Sequence, residues 1–283
     1  MAMPSLTGRR KMHKLFRKVR FSINPFLEED DLGFNSYCSK PAGDGLAFFF
    51  ELTVELAGSV DRATGFVVNV TDIDRIVRQF AVPVFSEKIR SFFGSGKHTG
   101  FEQINELLRA CQRKLSDKFG GKSLSRLCLS LNPNRKVAID CEPVRGLADG
   151  NENMIYFAEK FDFAATHTLW NKSFSEQENF ELFGKCANPA GHGHNYIVEV
   201  TVEAKPGDLC IVDYEKIVDE NLVKIVDHKN LNVDVPLFSN VLPTVENIAC
   251  FAWQRLNGKF EKAKLYCVTI WETDKTYCSY YGD

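Results

Sequence analysis

The chain has 283 residues, 44% of them apolar and 25% charged, and a formal net charge of −2, the profile of a soluble globular protein of two domains of roughly 140 residues each. A charge this close to zero gives no electrostatic case for nucleic acid as a partner. No apolar run approaches about 18 residues, so nothing in it spans a membrane or directs secretion.

Nine cysteines without a Cys-x-x-Cys pair fit a reducing, cytoplasmic setting better than a disulfide framework. The first 20 residues carry Arg9, Arg10, Lys11, Lys14, Arg17, Lys18 and Arg20 and no acidic residue. They read as a basic, frayed lead-in rather than a transit peptide, because Lys18-Val-Arg-Phe-Ser-Ile23 already alternates like a strand. Further on, Gly94-Ser-Gly-Lys-His-Thr99 has the look of a phosphate loop, but the first glycine is missing and His98 stands where a magnesium-holding hydroxyl is needed. The polar stretch Gly146-Leu-Ala-Asp-Gly-Asn-Glu-Asn153 reads as a linker, between a first domain over 1–145 and a second over 153–283.

The second half holds the chemistry. Phe161, Phe163, Ala165 and His167 alternate as on one strand face, and a second alternating run begins at His192-Gly-His194. Side chains at i and i+2 of a strand share a face, so His192 and His194 can converge on one ion, with His167 as third ligand from a neighbouring strand. A lone histidine at a strand start is most often a solvated residue; three on compatible faces weaken that alternative. Cys186 lies just upstream in a Gly/Pro/Asn loop, where a thiol has chemical uses. Beyond it, a helix is expected over about Tyr214–Val226, another from the N-cap Thr244 with Glu246 in its first turn, and a strand over Leu265–Trp271.

The chain also repeats itself. Cys38-Ser-Lys-Pro-Ala-Gly-Asp-Gly-Leu-Ala-Phe48 aligns without a gap on Cys186-Ala-Asn-Pro-Ala-Gly-His-Gly-His-Asn-Tyr196, at an offset of 148. The expected unit is strand, loop, strand, strand, helix, helix, strand, used twice. Asp44 and Leu46 replace His192 and His194, and Pro25 stands for His167. The first copy is therefore expected to hold no metal and to serve structure or assembly.

With these motifs quoted, the second half resembles the 6-pyruvoyltetrahydropterin synthase family. The resemblance covers 153–283 and rests on Phe163-Ala-Ala-Thr-His167, Leu182-Phe-Gly-Lys-Cys186, His192-Gly-His-Asn-Tyr196, Asp227-His-Lys-Asn-Leu231, Pro243-Thr-Val-Glu-Asn247, Trp271-Glu-Thr-Asp274 and Tyr281-Gly-Asp283. It implies an α+β class: two tandem tunnelling-fold modules, each a four-stranded antiparallel sheet with two helices on one face, assembling into barrels. It also implies conversion of 7,8-dihydroneopterin triphosphate to 6-pyruvoyltetrahydropterin with loss of triphosphate, a zinc requirement, and magnesium supporting the phosphates. By the same resemblance His167, His192 and His194 hold zinc, Cys186 is the proton-abstracting base, and Asp227 and His228 relay protons to it. Glu272 anchors the pterin, with Thr244 and Glu246 helping. The plain alternatives are a fourth metal ligand for Cys186, a helix C-terminal pair for Asp227-His228, a solvated strand-end residue for Glu272 and a helix cap for Thr244. In the first copy Pro83 and Val84 replace Asp227 and His228, and Asn132 replaces Glu272. Lys172, Lys185 and Lys229 are candidates for the triphosphate by proximity.

Two rivals are a sister enzyme forming 6-carboxytetrahydropterin and a zinc- or pterin-binding scaffold without turnover. In the sister group the cysteine usually stands three residues before His-Gly-His; the five residues between Cys186 and His192, with Asn188-Pro189, favour the pyruvoyl enzyme. Family sites lie at module interfaces, so the expected assembly is a homo-oligomer, a trimer in which three second halves close one barrel and three first halves another.

Overall fold

The computed structural model describes residues 12–26, 47–141 and 153–282. The chain divides into two compact units at Ile155/Tyr156.

In the first unit four strands lie in the order β1 (His13–Ile23), β2 (Phe48–Gly58), β3 (Ser123–Ser130) and β4 (Arg135–Asp140), each pair antiparallel. Three helices separate β2 from β3: α1 (Val70–Phe80), α2 (Val82–Ser95) and α3 (Phe101–Leu115). Two helices were expected. The stretch after Phe80 breaks at Ala81 because Pro83, in the first turn of α2, has no N–H to continue the α1 ladder. Asn69 caps α1 by accepting the Thr71 N–H at 3.0 Å. The core joins the inward strand residues Val19, Phe21, Leu52, Val54 and Leu127 to Ile73, Val77, Phe85 and Leu108, all at most 1% exposed. Phe21 sits at its centre, 4.9 Å edge-on to Phe85 and 5.6 Å stacked on Phe50, and burying a side chain of this kind contributes about 1.5–3 kcal/mol.

The basic lead-in is a strand rather than a frayed tail from His13 onward. Its basic residues are paired on both faces: outward, Lys14 to Glu55 and Lys18 and Arg20 to Glu51; on the helix side, Arg17 to Asp74 of α1. The Gly94–Thr99 segment is the end of α2 and the start of the turn to α3, with the cap Gly96 in the left-handed region at φ 63.

The second unit has strand order β5 (Ile155–His167), β6 (His192–Ala204), β8 (Ala263–Trp271) and β9 (Tyr277–Tyr280), with the short β7 (Lys229–Asn230) running parallel beside the end of β5. Between β5 and β6 come α4 (Glu176–Phe183) and a 3-10 turn, Gly184–Ala187. The first long helix is α5 (Ile211–Val218), which passes through a π turn, Asp219–Val223, into α6 (Lys224–Val226). A single turn, α7 (Leu231–Asp234), follows β7, and α8 (Val245–Leu256) is capped by Thr244, as expected. The element order differs from the expected one in both units. The helix expected from about Tyr214 begins at Ile211, with no third strand between β6 and α5, because the helical spacing that includes Tyr214, Val218 and Leu222 begins there. The fourth strands, β4 and β9, return after the helices as hairpin partners of β3 and β8.

The two sheets share their internal geometry. Both central strands carry a bulge, between Glu55 and Leu56 in β2 and between Thr201 and Val202 in β6. Both closing hairpins are tied alike: Leu131 and Asn132 donate their N–H groups to the Arg135 carbonyl, and Glu272 and Thr273 donate theirs to the Thr276 carbonyl. Asn132 Oδ1 accepts from the N–H groups of Asn134 and Arg135, as Thr273 Oγ1 does from Lys275 and Thr276. This register corrects two pairings read from the sequence. Leu131, not Asn132, stands where Glu272 does. Glu51 opposite Ser130 matches Ile197 opposite Trp271, so Phe48 stands where His194 does and Phe50 where Tyr196 does. Asp44, Leu46 and Cys38 lie outside the described residues.

Candidate metal centre

Three strand ends build the site. β5 delivers His167, 1% exposed, and the alternation of β6 puts His192, His194 and Tyr196 on the same inward face. The hairpin after β8 adds Glu272.

His167 Nδ1 lies 2.8 Å from the Pro243 carbonyl, a partner to which it can only donate, so its Nε2 presents a lone pair. That Nε2 faces His192 Nε2 at 3.0 Å, and one ligand nitrogen from each of His167, His192 and His194 lies within 4.8 Å of the others. His194 Nε2 is buried without a hydrogen-bond partner, 3.6 Å from Glu272 Oε1. Burial, before any other cause, lowers the pKa of His167 and of His192, favouring the neutral imidazoles that bind a cation. Three imidazoles, one with its tautomer fixed by an outer carbonyl and one with an unpartnered inward nitrogen, fit a zinc ion with an open position.

Glu272 Oε1 also lies 3.6 Å from His167 Nε2, and the Tyr196 hydroxyl lies 3.5 Å from both Glu272 Oε1 and His167 Nδ1. Tyr196 is fully buried, and burial followed by the nearby Glu272 charge raises its pKa, so it stays a neutral donor. Cys186 sits half-buried in the 3-10 turn after α4, its carbonyl accepting the Leu169 N–H at 2.8 Å. Burial and then Glu272 raise its thiol pKa; a cation at the histidines would act in the opposite sense.

Asp227 and His228 form a pair but do not join Cys186 within one chain. His228 Nδ1 lies 2.9 Å from Asp227 Oδ2, Asp227 Oδ1 accepts the Ala164 N–H at 2.9 Å, and the His228 N–H donates to the Ala164 carbonyl at 2.6 Å. Those bonds hold His228 at φ 56, a conformation rare for a residue with a side chain. The Ala164 N–H first, and then His228, lower the Asp227 pKa. His228 opens on a groove of about 420 Å³ that Thr166, Gly193, His194, Asn195 and Lys229 also line. Thr166, Gly193 and Asn195 alternate away from His167, His192 and His194, so this part of the groove lies on the other face of the sheet, with His194 at its margin. Thr244 lies one residue from the carbonyl that holds His167, but its hydroxyl accepts the Asn247 N–H as the cap of α8. Glu246 is exposed and lies near Cys278 instead, whose pKa it raises after burial. Lys172, Lys185 and Lys229 are all exposed.

The sequence reading did not single out Tyr196, although the alternation that yields His192 and His194 continues to it. Pro243 acts through a carbonyl, which carries no side-chain signal.

The three histidines between the strand ends of this α+β unit form a cluster that could hold a metal ion, as in a metalloenzyme. The model of the family described as 6-pyruvoyl tetrahydropterin synthase matches residues 156–283. The chain is 41% identical over 131 residues to the human 6-pyruvoyl tetrahydrobiopterin synthase, covering 44% of this chain and 90% of that protein. It is 40% identical over 134 residues to that of Drosophila melanogaster, covering 45% and 79%. The solved structure of the Caenorhabditis elegans 6-pyruvoyl tetrahydropterin synthase aligns over 46% of this chain and 96% of its own, with 33% identity and a TM-score of 0.43. The chain belongs to the 6-pyruvoyl tetrahydropterin synthase family.

Proposed function

We propose that the second half converts 7,8-dihydroneopterin triphosphate to 6-pyruvoyltetrahydropterin with loss of triphosphate, as a carbon–oxygen lyase in tetrahydrobiopterin formation. The observation that carries this is the convergence of His167, His192 and His194, with the His167 tautomer set by Pro243, beside the Glu272 carboxylate. Zinc held by these imidazoles would act as a Lewis acid on the substrate side-chain hydroxyls. Glu272 is suited to accept two parallel hydrogen bonds from the N3–H and 2-amino group of a pterin. Cys186 would take the proton from the side-chain carbon. Asp227 and His228 would serve a site built with a neighbouring chain, which their place on the other sheet face supports and which makes the active species a homo-oligomer. The trimer is the stoichiometry to test, and magnesium would accompany the triphosphate. The first half is a diverged copy of the same module, a reading supported by the shared bulge and hairpin bonds. The proposed setting is cytoplasmic; among the described residues no helix is long and apolar enough to cross a membrane.

Incubating the zinc-loaded chain with 7,8-dihydroneopterin triphosphate and weighing the products tests the reaction. A 6-pyruvoyl product with released triphosphate is expected. Acetaldehyde with a 6-carboxy product, or zinc and pterin binding without turnover, would overturn it.

A further inference from the structure

His167 ends β5, and the pairing of β5 with β7 ends at Thr166, opposite Asn230. The residue after it is nevertheless held on both backbone groups. Asn232 Oδ1 accepts the Thr168 N–H at 2.8 Å, and Asn232 Nδ2 donates to the Thr168 carbonyl at 3.0 Å. One side-chain amide thus supplies a donor and an acceptor together, standing in for the next rung of the β5–β7 ladder. The Asn230 side chain in turn accepts the Asn232 N–H at 3.1 Å, fixing the turn from which the clamp projects.

His167 therefore has two constraints. The Pro243 carbonyl orients its ring, and the rungs at Ala165 and Thr166 with the clamp at Thr168 fix its backbone on both sides. We propose that Asn232 is a positioning residue for His167: its amide holds the Thr168 backbone so that the His167 imidazole meets His192 and His194 at a metal-binding separation. The inference rests on the zinc reading above. Asn179 offers the internal contrast. It is fully buried and clamps the Asn171 backbone through its N–H and carbonyl, at 2.7 and 3.0 Å, in the loop that leads to α4. It touches none of the three histidines. Loss of either amide is expected to lower thermal stability, but only Asn232 sets a ligand.

The test measures zinc affinity of the full chain by competition with a chromophoric chelator, the visible spectrum of the cobalt(II) form, and the thermal midpoint of the metal-free form. Asn232→Ala is expected to weaken zinc binding about 10–100-fold, the range for groups that orient metal ligands, and to alter the cobalt spectrum. Asn232→Asp keeps the acceptor but sets a carboxylate against the Thr168 carbonyl, and is expected to do the same should the alanine variant fail to fold. Asn179→Ala should lower the thermal midpoint with zinc affinity and cobalt spectrum unchanged. Affinity and spectrum in a folded Asn232 variant matching wild type, or equal losses of affinity in the Asn232 and Asn179 variants, would overturn the inference alone. A wild-type chain whose zinc affinity is unaffected by His167→Ala would overturn it together with the zinc reading.

Discussion

In the first half Leu131, Phe48 and Phe50 occupy the places that Glu272, His194 and Tyr196 hold in the second, and the hairpins and bulges around them are the same. Phe21 stacks on Phe50 as Phe163 stacks on Tyr196, at 5.6 and 4.9 Å, and β1 ends at Ile23, two residues short of Pro25, whereas β5 runs on to His167. At the positions that correspond by register, ionisable groups of the second half are replaced by leucine and phenylalanine in the first. Phe48 packs 4.7 Å from Phe93, and Phe50 lies 5.3 Å from Phe85, so the aromatics in this position pack onto α2. The backbone geometry is compatible with either chemistry, and a few side chains decide which half can hold a cation.

The largest expected effect comes from deleting one residue in each half. His192→Ala should abolish turnover with the thermal midpoint barely moved, whereas Phe21→Ala should cost about 3–5 kcal/mol of stability and leave the turnover of folded protein intact. Turnover surviving His192→Ala would break the comparison. A second test mixes chains. If Asp227 and His228 serve a neighbour's site, Cys186→Ala and His228→Ala chains, each inactive alone, should on co-assembly regain on the order of a quarter of wild-type turnover by random pairing. No recovery in verified mixed oligomers would place both groups at one chain's site. Third, Glu272→Leu gives the second hairpin the residue of the first. It should raise KM about 10–100-fold through the lost charge-assisted hydrogen bonds while zinc stays bound; an unchanged KM would remove Glu272 from pterin recognition.

The smallest effect concerns acid stability. Hydrogen bonds from Ala164 and His228 lower the Asp227 pKa in the folded chain. The stability this contributes is fully present above the unfolded value of about 3.9 and is lost as pH falls through the lower folded value. Asp227→Asn should therefore trail wild type by a constant small margin at neutral pH, and the two curves should close together below about pH 4. A gap that persists into stronger acid would show that the carboxylate charge is not the source.

Much of the second half was legible in the sequence because alternation places side chains by face. His167, His192 and His194 share a face for the reason Phe163 and Tyr196 do. Thr244 announced the start of α8 through capping chemistry. What escaped depends on groups without a side-chain signature or on distant register. The Pro243 carbonyl and the Asn232 clamp act across the fold, on the His167 ring and on the Thr168 backbone, and the place of Asp227-His228 follows from which edge of β5 the 227–230 segment pairs with. The Asn132 pairing missed by one residue because a hairpin turn, not residue type, sets that register. The extra helix in the first half followed from Pro83, which interrupts a pattern that reads as continuous by apolar spacing.

The most direct test of the account is the zinc-to-chain ratio of purified protein, measured by elemental analysis alongside its His192→Ala variant. One zinc per chain is predicted, and its loss in the variant. Two per chain, or one retained without His192, would contradict the assignment of the metal centre to the second half alone.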